Sequence, residues 1–218
     1  MQNSPATLLI VDDEPSIRET LAHVLTEIGY CVRLAADGFS ALREMRLQVP
    51  DLLLSDLNMP NMSGFELLSV VRRRFPAIRT IAMSGSFSGD EVPSGVAADG
   101  FFPKGGSIGA LLRVMTSASH LARHTPQPSS PHAPLWVHQD PSALPPDGCF
   151  TITCPECLRS FPQAIGAGYP EYKADCIYCD ASIHHQFAHP ADQMPLEAFQ
   201  RATATAMPLT LRAPSLNY

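Results

Sequence analysis

Five side chains in the first half of the sequence share a position: each ends or follows a short apolar run. Asp12 and Asp13 follow Leu8–Val11, Asp56 ends Leu52–Asp56, Ser84 follows Thr80–Met83, and Lys104 comes two residues after Gly100–Phe102. If the runs are buried parallel strands, functional groups gather at their carboxyl ends, and three carboxylates, a hydroxyl and an ammonium meet on one small surface. Three crowded carboxylates repel one another, which calls for a divalent cation. An all-oxygen set with few protein ligands suits Mg²⁺, with water completing the octahedron. Taken alone, the Asp pair before Pro15 reads as a helix cap. The conjunction of all five residues favours a functional, cation-binding site over a cap.

A second set lies further along. Cys154, Cys157, Cys176 and Cys179 form C-x2-C-x18-C-x2-C, the spacing of a tetrahedral Zn²⁺ site built from two knuckles. Iron could use the same four thiolates. Disulfides are disfavoured in a cytoplasmic chain, and a single redox-active C-x2-C leaves the second pair unexplained. With all four positions filled by Cys, no coordination position stays open for catalysis, so the expected role is structural. Cys31 reads as a small buried apolar residue and Cys149 as a bystander. His184, His185 and His189 could compete for metal but read as a polar strand edge.

The elements that must position the first set alternate over residues 5–122. Thr7–Val11, Val32–Ala35, Leu52–Asp56, Thr80–Met83 and Gly100–Phe102 are predicted strands. Pro15–Ile28, Ser40–Leu47, Gly64–Phe75 and Ser107–Leu121 are predicted helices, with Pro15 suited to a first turn and Gly29 to a stop. Residues 90–99 make a weak further helix, because Pro93 and Gly95 leave it little room. The expected class is α/β: a doubly wound, five-stranded parallel sheet of flavodoxin-like type, followed by a small β-rich module.

Residues 5–122 resemble the receiver domain of two-component response regulators. The resemblance rests on Leu9-Ile10-Val11-Asp12-Asp13-Glu14, on Leu53-Leu54-Ser55-Asp56-Leu57-Asn58-Met59-Pro60 with Gly64, on Met83-Ser84-Gly85, and on Gly100-Phe101-Phe102-Pro103-Lys104. It also rests on intervals of 43, 28 and 20 residues between Asp13, Asp56, Ser84 and Lys104. It implies that Asp56 accepts a phosphoryl group from the phosphohistidine of a partner kinase or phosphotransfer protein. Asp13 would ligate Mg²⁺ directly and Asp12 largely through water, with Asp56 and the backbone carbonyl of Asn58 completing the protein ligands. Ser84 and Lys104 would hold phosphoryl oxygens, and Phe101 would be the switch aromatic. Such a protein is a phosphoacceptor, with only self-catalysed transfer and hydrolysis, rather than an enzyme acting on other substrates. A haloacid-dehalogenase-like phosphatase also places an Asp after its first strand, but needs a second Asp where Glu14 stands. One departure from the receiver pattern is that Gly105-Gly106 follows Lys104 where Pro is usual, so a looser loop is expected there.

Composition divides the remainder. Residues 123–148 hold seven of the 21 prolines in 26 positions and read as a tether, apart from Leu135-Trp136-Val137, which could dock on a neighbour. Residues 149–189 resemble a zinc ribbon, with Thr151–Thr153, Leu158–Phe161, Tyr172–Asp175 and Ala181–His185 as short strands, although Leu158 and Asp180 stand where many ribbons place Gly. A module of this size has too little core to fold alone, so metal ligation is expected to fold it. Residues 190–218 are a low-charge tail with one marginal helix over Pro195–Met207.

The chain carries 21 acidic and 15 basic side chains, for a net charge of −6. Residues 149–189 contain Arg159 and Lys173 against Glu156, Glu171, Asp175 and Asp180, and four thiolates with one Zn²⁺ would add two further negative charges. An acidic module without a basic stripe is a poor duplex binder, which favours a protein partner. A DNA-binding transcriptional regulator, or a stand-alone phosphotransfer receiver with a purely structural ribbon, are the alternatives. No stretch reaches the ~18 apolar residues of a membrane span, and Met1–Val11 lacks a basic region, so no membrane partner and a cytoplasmic location are expected.

Overall fold

The computed structural model describes residues 5–85, 96–121, 135–138, 149–164 and 172–188. Strands β1 (Thr7–Val11), β2 (Cys31–Ala35), β3 (Leu52–Asp56), β4 (Arg79–Ser84) and β5 (Gly100–Pro103) form one parallel sheet in the order β2-β1-β3-β4-β5. The expected doubly wound α/β class is thus the observed one. Alternate strand residues face opposite sides. Leu8, Ile10, Leu52, Leu54, Ile81 and Met83 pack with helices α1 (Pro15–Glu27) and α4 (Ile108–Leu121), whereas Leu9, Val11, Leu53 and Ala82 pack with α2 (Gly38–Leu47) and α3 (Gly64–Arg74). Helix cover on both faces is why the central strand β3 is buried throughout, from the apolar Leu52–Leu54 to the polar Ser55 and Asp56.

Local chemistry sets the helix starts. α1 begins at Pro15, where a fixed φ suits the first turn. α2 begins two residues before the expected Ser40, because the Asp37 side chain accepts from the Ser40 N–H at 2.6 Å and Ser40 Oγ accepts from the Asp37 N–H at 3.1 Å, a reciprocal cap. Ser63 caps α3 by accepting from Glu66 N–H at 3.3 Å. Of the weak helix expected over 90–99, residues 90–95 lie outside the described residues and 96–99 are irregular. The helix expected over Pro195–Met207 also lies outside them.

The second part of the chain is built from hairpins. β7 (Cys149–Thr153) pairs antiparallel with β8 (Ser160–Ala164), and β9 (Tyr172–Asp175) with β10 (Ser182–Ala188). Leu135–His138, within the Pro-rich segment, forms strand β6 and pairs parallel with β10, so the apolar triplet does dock. Leu135 and Val137 are buried, and their core is continuous with Ile152, Phe161, Ala174 and Ile183 on one side and with Leu67, Val70 and Val71 of α3 on the other. The layers therefore run α1 and α4, sheet, α2 and α3, then the hairpin module. Every residue from Gly64 to Val71 is buried, because α3 is covered on its outer side as well as by the sheet.

Two expectations about single residues are corrected. Cys31 is exposed rather than buried, since it opens the edge strand β2. His185 is buried rather than on a polar edge: its ring lies 5.3 Å from that of Phe150, and burial pushes its pKa from 6.5 down to about 4, holding it neutral.

Candidate functional site

The carboxyl ends of β1, β3, β4 and β5 bring the expected first set together. Carboxylate oxygens of Asp12, Asp13 and Asp56 lie within 4.8 Å of one another. Asp12 and Asp56 are buried, while Asp13 faces solvent. Lys104 bridges the two buried ones, with Nζ 2.8 Å from Asp56 Oδ2 and 3.0 Å from Asp12 Oδ2. Two backbone bonds fix the loops that carry these groups. Leu57 N–H donates to Met83 O at 2.9 Å, and Lys104 N–H donates to Ser84 O at 2.7 Å.

Burial pushes the Asp56 carboxyl above its ordinary range; Lys104 opposes that rise and Asp12 adds to it. Burial alone would lower Lys104, but its bonds to Asp56 and Asp12 outweigh this and leave its pKa raised. The site thus holds a desolvated carboxylate beside one cation. Asp12 and the solvent-facing Asp13 are left to supply oxygens to a second cation, and this all-oxygen donor set fits Mg²⁺.

Ser84 is fully buried at the end of β4, level with Pro103 of β5. Asn58 N–H approaches Asp56 Oδ1 at 3.4 Å. Phe101 is partly buried on the α2 and α3 side of the sheet, opposite in direction to buried Phe102. Gly105 has φ +97°, the left-handed region that glycine enters freely, in the turn after Lys104. Beside it, Ile17, Leu21, Met83, Phe102 and Ile108 line an apolar cleft of about 380 Å³ that reaches Lys104.

The four cysteines also converge. Their Sγ atoms lie within 4.8 Å of one another, with Cys154 to Cys179 and Cys157 to Cys176 both at 3.7 Å. Four sulfurs about 2.3 Å from a tetrahedral centre are about 3.8 Å apart, so the donor set fits Zn²⁺. Among the described residues, this cluster contains no His, Asp or Glu. Cys149 lies outside it, at the start of β7.

Each C-x2-C is the turn of a hairpin, and the two turns repeat one geometry. Leu158 N–H donates to Cys154 O at 2.8 Å and Asp180 N–H to Cys176 O at 2.9 Å; the chain then returns through Cys154 N–H to Arg159 O and Cys176 N–H to Ala181 O. Leu158 (φ 57°) and Asp180 (φ 58°) occupy the left-handed region at the positions where ribbons often carry Gly. Tyr178 N–H points at Cys176 Sγ, 3.5 Å away, which favours a thiolate there.

Sequence reasoning missed Glu66. Its carboxylate is buried between α3 and the hairpin module, where Oε1 accepts from Thr153 N–H at 2.9 Å. Burial pushes its pKa from 4.5 up to about 7, against the lowering effect of Thr153. The only available signal was a carboxylate inside the run Phe65-Glu66-Leu67-Leu68, where an apolar residue would have been expected.

Comparison with known proteins agrees with this geometry. The family model described as response regulator receiver domain matches residues 8–114. The chain is 32% identical over 96 residues to the probable transcriptional regulatory protein TcrX of Mycobacterium tuberculosis, covering 44% of this chain and 41% of that one. It is 31% identical over 138 residues to the response regulator MprA of Mycobacterium sp. strain KMS, covering 62% and 59%. Among solved structures, NtrX from Brucella abortus superposes with a TM-score of 0.50 at 27% identity, over 55% of this chain and 27% of that one. The chain thus covers 41% and 59% of the length of these two curated relatives, and less than two thirds of either. The family model covers the parallel sheet and not the four-thiol module, and residues 8–114 are a response regulator receiver domain.

Proposed function

We propose that the protein is a response regulator that accepts a phosphoryl group on Asp56 and signals through a Zn²⁺-bound hairpin module. The observation carrying this reading is the buried Asp56 carboxylate held 2.8 Å from Lys104 Nζ, with Asp12 and Asp13 oxygens within 4.8 Å. A carboxylate is a poor nucleophile toward an anionic phosphoryl group unless positive charge offsets the repulsion. In the transfer, an Asp56 oxygen forms the new O–P bond as the P–N bond to the donor's histidine breaks, and the histidine leaves with its electron pair. Bound Mg²⁺ would neutralise charge and favour an in-line approach. Asp12, Asp13, Asp56 and the Asn58 carbonyl would hold it. Lys104 exchanges its contact with Asp56 for one with a phosphoryl oxygen, and Ser84 donates to another. Phe101 is the switch aromatic, turning inward as Ser84 moves. Activity is limited to this self-catalysed transfer and the later hydrolysis.

Acetyl phosphate with Mg²⁺ tests the assignment. Wild type gains the mass of one phosphoryl group and Asp56→Ala does not; equal labelling of both overturns it.

Cys154, Cys157, Cys176 and Cys179 bind Zn²⁺, and the module recognises a protein. Support for a protein partner comes from Ile177 and Tyr178, which are 65% and 49% exposed at the tip of the second knuckle, and from the absence of a basic stripe on the module's sequence. A cytoplasmic site of action matches a kinase donor, and no described helix is long and apolar enough to cross a membrane.

A further inference from the structure

The hairpin module and the receiver meet on α3, and the two ends of that contact are the two candidate sites. On the receiver side, the first residue of α3 is pressed against the acceptor's own backbone. A Cβ on Gly64 would lie 1.9 Å from the Asp56 carbonyl oxygen, and Gly64 N–H donates to Leu57 O at 3.0 Å. The Asp56–Leu57 backbone therefore cannot shift without moving α3. At the other end of the helix, Arg72 holds Asp99, just before β5, at 2.8 Å.

On the module side, α3 is gripped along its length. Glu66 accepts from Thr153 N–H, Ser69 Oγ accepts from Trp136 N–H at 3.4 Å, and Arg73 Nε lies 3.2 Å from Glu156 Oε1. Arg46 of α2 donates to the Leu158 carbonyl. The last two contacts fall on the first knuckle itself. Both are made with the Cys154–Leu158 turn wound and Leu158 at positive φ, a conformation that a β-carbon disfavours and that ligation of Cys154 and Cys157 would hold. Charge points the same way. A divalent ion with four thiolates carries two net negative charges, and Arg46 and Arg73 are the receiver cations placed on that knuckle.

We infer that the four-cysteine module is a metal-dependent clamp that holds α3 in its unphosphorylated position, so that metal binding and phosphoryl binding at Asp56 oppose each other. The inference rests on the assignments of Asp56 and of the four thiols made above. Lys104 is bonded directly to Asp12 and Asp56, a phosphoryl group on Asp56 would have to draw it away, and the module's contacts fit α3 as it stands beside that bridged arrangement. By linkage, a ligand that prefers the other α3 position weakens the metal by the same factor by which the metal weakens that ligand.

The test is competition between the full-length zinc-loaded chain and a chromogenic chelator, with and without beryllofluoride, an inert phosphoryl mimic, plus Mg²⁺. Zinc affinity is expected to fall about 5-fold or more on adding beryllofluoride. Unchanged or tighter zinc binding overturns the clamp. The double variant Arg46→Ala, Arg73→Ala, which leaves both ligand sets intact, is expected to retain zinc and accept beryllofluoride while the ratio between the two affinities returns towards one. Full coupling retained in that variant also overturns it. Zinc stoichiometry and acetyl phosphate labelling on the same samples separate the two levels: one zinc and one phosphoryl per chain without coupling defeats the clamp alone, whereas loss of either defeats the underlying assignment.

Discussion

Glu66 on α3 accepts a hydrogen bond from the Thr153 N–H at 2.9 Å, one residue before the first thiol of the four-cysteine cluster. This buried carboxylate joins the receiver to the module, and its raised pKa makes the junction sensitive to pH. A carboxyl that is harder to ionise in the folded chain binds its proton more tightly there, so stability falls as pH rises from about 4.5 to about 7 and then levels off. The effect amounts to at most about 3.5 kcal/mol at roughly 1.4 kcal/mol per pH unit. Urea unfolding of zinc-saturated protein between pH 5.5 and 7.5 should show this slope, and Glu66→Gln should flatten it. Identical slopes in both proteins would remove Glu66 from the account.

Gly64→Ala is expected to be among the most damaging small substitutions in the chain. The added methyl group would meet backbone rather than a flexible side chain, at 1.9 Å from Asp56 O. Overpacking against rigid atoms costs about 3 kcal/mol or more, so the urea midpoint should drop sharply, and any folded protein should label more slowly with acetyl phosphate.

Asp180 and Leu158 share one backbone conformation but differ in surroundings, so they should respond oppositely to glycine. Asp180 is exposed at φ 58°, and Asp180→Gly should stabilise zinc-loaded protein by about 0.5–1 kcal/mol. Leu158 is packed against the shared core, so Leu158→Gly gains the same relief but loses that burial and should not stabilise. Thermal unfolding of both variants decides the comparison.

Removing metal should loosen the module more than the receiver. The full chain should contain one zinc, and Cys179→Ser should weaken it by more than about 100-fold, since even outer hydrogen-bond partners of metal ligands are worth 10–100-fold. In hydrogen exchange after chelation, amides of β7–β10 should lose protection while β1, β3 and β4 keep theirs. Unchanged protection of the hairpins without metal would show that α3 alone suffices to hold them.

Much of the receiver could be read from residue order. Buried parallel strands are apolar on both faces, so β1, β3 and β4 announce themselves, and the residues ending such strands must lie at one edge whatever the loops do. Asp12, Asp13, Asp56, Ser84 and Lys104 were legible for that reason, and the four thiols because C-x2-C turns can present sulfur only over a short range. Cys31 and His185 were misread because exposure depends on which strand ends at an edge and which faces a neighbour, and periodicity does not encode either.

The sequence by itself determined two clusters of candidate side chains and the fold around the first, since both are set by local spacing and strand order. Only the tertiary structure decided that the parts of the chain carrying them pack together, on α3. Leu135–His138 left the Pro-rich segment to pair with β10, α3 became buried on both sides, and Glu66, Arg46 and Arg73 were turned towards the module. Contacts between residues 46 and 158 or 66 and 153 depend on how two separately built layers settle on each other, and a module too small for its own core settles where apolar helix surface is available.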